Sequence, residues 1–523
     1  MNRSLLPPRC LGASVVALLG LSASATGILS HAAQAQLVPI SGVSSNPVAG
    51  DPTDPAAVTA CNGAPQSGVV YRNSESEPHL AVNPIDASNM IAAWHQDRWS
   101  TGGAQSIGVA YTTDGGTTWT PTSVPFTRCS GAGRRSAGDF ERASDPWISF
   151  SPDGTAHLMA LVFNRSVSAN GMAVASSSDG GQTWSDPVIV KKSPAQDPRL
   201  RSPFHDKNTL TADPVDPNIV YATWTLFRTG VTTLVVTRST DGGRSWGPAR
   251  PVNNFEAVGP ANLALFRQGA QIVVLPDGTL VNAFFRILLD QVTLRITLQQ
   301  AIFRSFDQGR HWERVDTVVS AFDAAGAVDP ELNIPVRDAG ELPDIAVNRS
   351  TGELYLTWQD GGANSSGLVG VFVSRSGDGG ATWSAPVRVN QGTVDTVQAF
   401  LPTVAVAADG TVGVLFYDFR NDVLGDEPLT TDVHLSLFDA DLNFLDERRL
   451  TPVSFDFRQL LITGARGFFP GDYVGLDTVG NDFVAAFTVT NDLGLPVVFP
   501  QVDGGLSVDT YNRQDIVFAR EKP

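Results

Sequence analysis

Arginine and carboxylate side chains recur at two kinds of position in this chain, just before and just after short apolar segments. A guanidinium group can pair with a carboxylate through two parallel hydrogen bonds, so converging arginines could bind an acidic ligand. A neighbouring carboxylic acid could protonate a leaving oxygen. The groups that follow such segments are Asp97, Arg98, Arg165, Arg228, Arg286, Asp360, Asp418 and Arg420. Those that precede them are Glu77, Arg142, Asp145, His205, Asp206, Lys207, Glu341, Asp344, Asp472 and Tyr473.

These groups can act together only if the fold gathers them, and a repeated motif indicates such a fold. Each copy begins with a Ser or Thr two residues before an Asp, which is followed by Gly two residues later and Trp five residues later. In a tight hairpin the Asp accepts hydrogen bonds from its own turn, and the Gly supplies a positive φ. Such near-constant spacing indicates a repeat architecture. The aspartates are Asp114, Asp179, Asp241, Asp307 and Asp378, separated by 65, 62, 66 and 71 residues.

A second repeat is interleaved with the first and consists of two short apolar strands joined by a turn of Pro, Asp, Asn or Gly. Short strands at regular spacing, with turn signals between them, predict an all-β closed architecture. If each strand pair and the hairpin after it form one four-stranded blade, the chain is a single β-propeller of seven blades. A six-bladed propeller would require one pair to lie outside the ring. The pairs begin near Leu80, Trp147, Thr209, Gln271, Ile345, Val404 and Val474.

The last repeat unit is one strand short, because the chain ends after residues 515–520. The run 68–72 is strand-like and precedes the first unit. Pairing it with the last unit would close the ring and remove the exposed sheet edges. The sequence therefore predicts a propeller over residues 67–523, preceded by a flexible segment over 36–66.

The five hairpins match the Asp-box motif, and the chain resembles the sialidase-like β-propellers over about residues 68–520. The closing segments 471–476 and 515–520 are similar to that family as well. The resemblance implies a glycan-acting exo-glycosidase of the sialidase type. Its site would lie at the central channel, on the face opposite the boxes. In such enzymes a tyrosine with a carboxylate neighbour replaces one of the usual two carboxyl groups as the nucleophile.

Carried onto this chain, the resemblance implies particular site residues. Tyr473 with Asp472 would form the nucleophilic pair, with Tyr417 as the alternative tyrosine. The acid would be Asp145, Asp206 or Asp344. The groups that bind substrate would be drawn from Asp97, Arg98, Arg142, Arg165, Arg228, Arg286, Asp418 and Arg420. Apart from the resemblance, Trp99 beside Arg98 could either stack on a sugar ring or pack as a loop aromatic.

The chain departs from the family in two ways. It has seven units rather than six, and it lacks the Arg-Ile-Pro motif that carries the first substrate-binding arginine. The nearest run, residues 333–337, reads Asn-Ile-Pro-Val-Arg.

The same charged residues also have a structural interpretation, as ion pairs between blades and as caps of loop backbone. The chain would then be a non-catalytic extracellular propeller that binds glycan or protein, since a fold does not by itself define a function. The stretch from Lys191 to Lys207 is interpreted as a solvated loop between blades, and the box tryptophans as core residues.

Composition restricts the partners and the compartment. The formal net charge is −17, which argues against nucleic acid or an anionic membrane as a partner and leaves a glycan or glycoconjugate. Residues 1–35 have a basic start, an apolar run and an A-x-A site, so we expect a secreted or periplasmic protein cleaved near Ala35. We expect a monomer that does not insert into membranes.

Cysteine and metal signals are sparse. In an oxidising compartment Cys61 and Cys129 could pair or remain two separate thiols. The sequence contains no zinc-type spacing. Asp-rich turns could hold Ca²⁺, but no EF-hand pattern supports this, so no cofactor is expected.

Overall fold

A computed structural model of the chain describes residues 36–42, 44–46, 60–64, 69–193, 203–228, 231–252, 262–290, 292–362, 367–391, 397–460, 462–463, 467–490, 508–509 and 514–523. The expected signal peptide lies outside the described residues. The described residues belong to one compact unit, Ala35–Pro523. No helix in this part of the chain has the length and apolar character needed to cross a membrane.

The described chain is built of β-strands, with two short 3-10 turns at Ala60–Gly63 and Phe457–Gln459. The strands before and within the first three repeat units are β1 (Val38–Pro39), β2 (Val70–Tyr71), β3 (Ser76–Val82), β4 (Met90–Trp99), β5 (Ala104–Thr112), β6 (Thr120–Ser123), β7 (Arg142–Phe150), β8 (Ala156–Phe163), β9 (Asn170–Ser177), β10 (Val188–Ser193), β11 (Phe204–Ala212), β12 (Val220–Arg228), β13 (Val231–Ser239) and β14 (Arg250–Pro251).

The remaining units follow the same plan, with three short extra strands after unit six. The strands are β15 (Asn262–Val274), β16 (Leu280–Asp290), β17 (Ile296–Ser305), β18 (Thr317–Phe322), β19 (Asp344–Val347), β20 (Leu354–Asp360), β21 (Gly370–Ser376), β22 (Val387–Arg388), β23 (Ala399–Val406), β24 (Val412–Asp418), β25 (Thr430–Phe438), β26 (Phe444–Arg449), β27 (Phe455–Asp456), β28 (Ile462–Thr463), β29 (Gly467–Phe468), β30 (Gly475–Val479), β31 (Asp482–Thr490), β32 (Val508–Asp509) and β33 (Gln514–Glu521).

The strands pack in a β-propeller arrangement in which each unit's first strand contacts those of its neighbours. The contacts run through β3, β7, β11, β15, β19, β23 and β30 and return to β3. Units three to seven form separate antiparallel sheets of four or five strands. Units one and two join in one ten-stranded sheet through the pair Ala104–Ala143. The described residues therefore contain five separate sheets of this size, whereas the sequence predicts seven.

The ring is completed by a different segment from the one that the sequence predicts. Strand β1 pairs with β33 through Val38–Phe518 and Pro39–Val517. Strand β2, which lies in the run 68–72, pairs with β4 and, in parallel, with the two-residue strand β32 of the last unit, but it does not supply that unit's fourth strand. The prediction named the wrong residues because a two-residue strand ending in Pro carries no recognisable pattern. Pro39 is tolerated because β1 is an edge strand, where a missing N–H costs little.

A disulfide joins Cys61 to Cys129, a pairing that the sequence leaves open. It links the N-terminal segment to the loop between β6 and β7. Both sulfur-bearing residues are buried beside Ala64. Part of the segment predicted to be flexible is therefore anchored to the loop that connects units one and two.

The five box hairpins share one hydrogen-bond pattern. In the last of them, Asp378 Oδ1 accepts from the Thr382 N–H and the Ser376 hydroxyl, both at 2.9 Å. Asp378 Oδ2 accepts from the Thr382 hydroxyl at 2.6 Å. Gly380 has a φ of 86°. Each box joins the third and fourth strands of its unit, so the hairpins mark one face of the ring.

The first strands share an irregularity that matters for the centre of the ring. Five of them shift register at the same point, a β-bulge that inserts one extra residue. The extra residue has a positive φ in each case and lines a central cavity. These residues are Glu77, Asp145, Lys207, Gly269 and Leu401.

Candidate functional site

Two cavities occupy the centre of the ring. The upper cavity, of about 450 Å³, is lined by the β4–β5 loop, the β8–β9 loop and three of the bulge residues. The lower cavity, of about 480 Å³, lies among the first strands and reaches turns such as 348–350 on the box side. Lys207 and Asp472 line both cavities, so this ion pair forms the wall between them.

A pair of carboxyl groups converges on one backbone N–H in the upper cavity. Asp145 Oδ2 accepts from Lys207 N at 3.0 Å, and Asp206 Oδ1 accepts from the same nitrogen at 2.9 Å. The two oxygens therefore lie no more than about 6 Å apart. The bulges create this geometry, because Asp145 and Lys207 are the inserted residues of neighbouring first strands.

The surroundings push the ionisation of the acidic groups in opposite directions. Burial raises the pKa of Asp206 to about 8, and the charge of Asp145 adds to this while Lys207 opposes it. Burial alone would raise the pKa of Asp472 as well, but Lys207 and Arg337 lower it to about 2. At neutral pH the site thus holds a protonated Asp206 and an ionised Asp472. Carboxyl groups separated in this way can act as acid and base at the same pH.

Two guanidinium groups lie over the same phenyl ring at the edge of the upper cavity. The Cζ atom of Arg98 is 4.1 Å from the centre of Phe469, and that of Arg337 is 4.5 Å away. Arg337 Nη2 also donates to Asp472 Oδ2 at 3.1 Å. Burial lowers the pKa of Arg98 to about 10, so both groups remain cationic at neutral pH. Arg165 is exposed on the cavity's β8–β9 loop.

Glu77, His95 and Asp145 place ligand atoms within 4.8 Å of one another, which raises the question of a metal site. Arg98 Nη1 lies 2.8 Å from His95 Nδ1, and a guanidinium can only donate, so Nδ1 accepts. The proton of a neutral His95 then lies on Nε2, which faces Glu77 Oε2 at 2.8 Å, although the Asp145 N–H also points at this nitrogen at 3.1 Å. A metal on Nε2 would require the proton on Nδ1, against Arg98. This arrangement of the three residues does not fit a cation.

Tyr473 is half-buried and lies on the lower-cavity side of the wall. Its hydroxyl donates to Pro146 O at 3.3 Å, and its ring packs edge-on against Trp147. Its side chain lines the lower cavity and not the upper one. Burial raises the pKa of Tyr473 well above its ordinary value, and the charges of Glu77 and Asp145 raise it further. Ionising this phenol to make a nucleophile is therefore unfavourable.

Several other candidates from the sequence are engaged elsewhere in the ring. Arg286 pairs with Asp316, Arg420 with Asp418 and Glu447, and Tyr417 donates to Thr488 O. Asp344 accepts from Thr403 Oγ1 at 2.7 Å and so ties unit five to unit six. Of these residues only Asp344 lines a cavity, the lower one. Their contacts match the structural interpretation of the charged residues.

The remaining candidates do not line the upper cavity, and the side chains of Asp97 and Arg142 contact other parts of the protein. Asp97 is buried and binds the N-terminal segment through Asn46 Nδ2 at 2.8 Å. The Cζ atom of Arg142 lies 4.4 Å from the centre of the Trp99 ring. The guanidinium group therefore occupies the ring face on which a sugar would stack. Arg228 is exposed at the end of β12. The structure therefore brings together, at the upper cavity, Arg98, Asp145, Arg165, Asp206 and Asp472 from the candidate set.

The sequence misjudged two residues at the centre of the ring. Lys207 is not part of a solvated loop, since its side chain is only 11% exposed and pairs with Asp472. Arg337 ends the run that differs from the family's arginine motif. It comes from the loop between β18 and β19, and its N–H donates to Phe468 O at 2.8 Å. The place of Lys207 among charged residues just before an apolar segment was the only signal for it, and no local signal pointed to Arg337.

Comparisons with known proteins were made with both sequence and structure. No family model and no curated protein matches the chain. The fold is similar to a protein of unknown function from Dyadobacter fermentans, with 14% identity over 87% of this chain and 98% of that one, at a TM-score of 0.42. It is also similar to a Hadza microbial sialidase, with 15% identity over 80% and 74% of the chains and a TM-score of 0.42.

An α-L-arabinofuranosidase from Fusarium graminearum is similar in the same way. It shows 12% identity over 72% of this chain and 97% of that one, at a TM-score of 0.44. These are distant likenesses, each at a TM-score below 0.5.

Proposed function

We propose that the protein is a secreted glycoside hydrolase in which Asp206 is the general acid and Asp145 is its partner carboxylate. The observation that carries the proposal is the hydrogen bonding of both side chains to the Lys207 N–H. A raised pKa keeps Asp206 protonated at neutral pH, as a general acid requires. Two carboxyl groups with different ionisation states are the usual equipment for cleaving a glycosidic bond.

The distance between the two carboxyl groups favours a retaining reaction. Retaining enzymes hold the two groups about 5–5.5 Å apart, whereas inverting enzymes leave room for a water molecule between them. Asp206 would protonate the glycosidic oxygen while Asp145 attacks the anomeric carbon. Asp206 would then take a proton from the water that releases the sugar from Asp145. Tyr473 has no role in this scheme.

The shape and charge of the upper cavity support action on the end of an acidic glycan. The Lys207–Asp472 ion pair lies between the upper cavity and the lower one, so a chain end that enters the upper cavity meets this wall. Arg98 and Arg337 are cations at its edge, held by Phe469. A guanidinium is suited to a carboxylate or sulfate on a sugar.

Two further expectations belong to this proposal. The Cys61–Cys129 disulfide supports an oxidising compartment, and hence secretion after removal of residues 1–35. We also propose that the propeller has seven blades, with units one and two as separate blades. A single residue pair joins these two units, and seven first strands line the ring. An experimental structure in which those strands form one continuous blade would contradict the count.

A second candidate is a non-catalytic protein that binds acidic glycans at the same cavity. The stacking of two guanidinium groups on Phe469 favours it, because such a surface binds an anion without any chemistry. The two candidates differ in whether Asp206 is needed for turnover.

The test is hydrolysis of a panel of fluorogenic glycosides, including a sialoside and uronosides. The samples are the protein from Gln36 onward, its Asp206→Asn variant and the matched control Asp277→Asn. Asp277 lies in a turn between β15 and β16 and accepts only the Thr279 N–H in the described part. Turnover that falls at least about 100-fold in Asp206→Asn and persists in the control would support the enzyme.

Turnover that survives Asp206→Asn would reject the assigned acid. If no glycoside is cleaved, calorimetric titration with acidic oligosaccharides decides for or against the second candidate.

A further inference from the structure

Lys207 uses its backbone and its side chain for two different contacts at the wall between the cavities. Its N–H is the donor that Asp145 and Asp206 share, and its ammonium pairs with Asp472. No other described residue that lines both cavities carries a positive charge. The proposed reaction uses neither group of Lys207 directly, so the residue needs a separate explanation.

The backbone contact depends on the bulge. Lys207 has a φ of 53°, the left-handed conformation that non-glycine residues adopt at a cost. This conformation turns the N–H out of the strand ladder and toward the two carboxyl groups. Asn208 reinforces the arrangement, because its Nδ2 donates to Asp145 O at 2.9 Å. Strained backbone that is held in place by neighbours is typical of functional sites.

The side-chain contact anchors a positive charge among acidic groups. Asp472 Oδ2 receives both Lys207 Nζ and Arg337 Nη2, and Asp472 is buried. The acidic charges raise the pKa of Lys207 despite its burial, so the ammonium persists over the whole working pH range. The titratable and charged groups that face Lys207 or Asp206 are Glu77, Asp145, Arg337, Asp472 and Tyr473.

We propose that Lys207 is a positioning residue for the carboxyl pair, holding Asp145 and Asp206 on its N–H and balancing their charge with an ammonium fixed by Asp472. This inference rests on the proposed function and deepens it. Without the ammonium, ionised Asp206 would lie beside Asp145 and Asp472 with less compensation. Asp206 would then lose its proton less readily. The second step of the reaction, in which ionised Asp206 takes a proton from water, would be slowed.

The test compares Lys207→Met, which removes the charge at similar length, with Lys207→Arg, which restores it. The first readout is the pH profile of kcat/KM on whichever glycoside is cleaved. The fall of kcat/KM at high pH follows the loss of the Asp206 proton. In Lys207→Met this basic limb should move to higher pH by about one unit or more, and kcat should fall at least about tenfold. Lys207→Arg should return the limb toward its original place. A limb that stays in place in Lys207→Met would overturn the inference.

The second readout needs no activity. Infrared difference spectroscopy follows the protonated carboxyl band during a pH titration, and the band lost in Asp206→Asn identifies Asp206. Its midpoint should rise in Lys207→Met and return in Lys207→Arg. An unmoved midpoint overturns the inference even if the enzyme is active. A moved midpoint in a protein that cleaves no glycoside supports the role of Lys207 and rejects the proposed function instead.

Thermal unfolding followed by circular dichroism shows whether Lys207→Met folds. If it does not, Lys207→Gln is the second variant, because it removes the charge while its amide can still donate to Asp472. The Asp206 midpoint should rise in Lys207→Gln as well, since the ammonium that opposes the raised pKa is lost. A midpoint that stays in place in a folded Lys207→Gln protein would overturn the inference.

Discussion

Asp145 Oδ2 accepts a 3.0 Å hydrogen bond from the backbone N–H of Lys207, which lies in the next repeat unit. Each partner is the extra residue of a β-bulge and has a φ of 53°. The contact exists because two neighbouring first strands distort in the same way and turn these residues toward the channel. A site at the centre of a ring is therefore made from positions that are local irregularities in each unit.

The stereochemistry of hydrolysis should be retention. The oxygens of Asp145 and Asp206 lie within about 6 Å of each other, which suits a covalent intermediate on Asp145. Proton NMR of the first sugar released from a cleaved glycoside reports its anomeric form before mutarotation. Release of the inverted anomer would contradict the assigned nucleophile.

Tyr473→Phe should leave turnover within about threefold of the unaltered protein, because the contact that its hydroxyl makes among the described residues is a hydrogen bond to Pro146 O. The loss of one hydrogen bond of 3.3 Å should cost about 1 kcal/mol or less of unfolding free energy. Steady-state kinetics and chemical denaturation measure the two effects. Asp145→Asn is the comparison, since it should abolish turnover. A fall of 100-fold or more in Tyr473→Phe would restore the tyrosine mechanism that the family resemblance implies.

Asp472→Asn should destabilise the protein by about 3 kcal/mol at neutral pH, because it leaves the buried charge of Lys207 without its partner. The pKa of Asp472 is about 2 in the folded protein, below its ordinary value of 3.8. Its contribution to stability is therefore present above about pH 4 and is lost as the pH falls toward 2.

Denaturant melts of both proteins between pH 2 and pH 8 test this sign. The stability difference between them should shrink below pH 4. A difference that stays constant with pH would show that the ion pair contributes nothing specific.

Asp378→Ala should cost about 1 kcal/mol of stability and leave turnover unchanged. The substitution removes the acceptor for Ser376 and for both donors of Thr382, on the face that carries the box hairpins. Asp378→Asn is the matched control, because it keeps an acceptor oxygen at nearly the same place. Thermal melts and the glycoside assay separate the two effects. Loss of turnover in a folded Asp378→Ala protein would mean that the boxes take part in function.

The sequence predicts well wherever the chemistry is local. Each box can be identified from a few neighbouring residues, because Asp378 and Gly380 act within a single turn. The paired strands follow from their alternation and turn residues. The sequence also placed Asp145, Asp206 and Asp472 at the entries of apolar segments and so near the channel, although Asp145 and Asp206 lie inside the first strands β7 and β11.

The tertiary structure decided which of these residues meet. It separated Tyr473 from Arg98 by the Lys207–Asp472 wall, and it delivered Arg337 from a loop with no recognisable motif. Ring closure and the direction of each bulge depend on contacts between distant units, which no stretch of sequence encodes by itself. The sequence alone determined the repeating all-β scaffold, because its hairpins are stabilised by neighbours in the chain. Only the closed ring determined the chemistry of the centre, because the charges there act on one another across units.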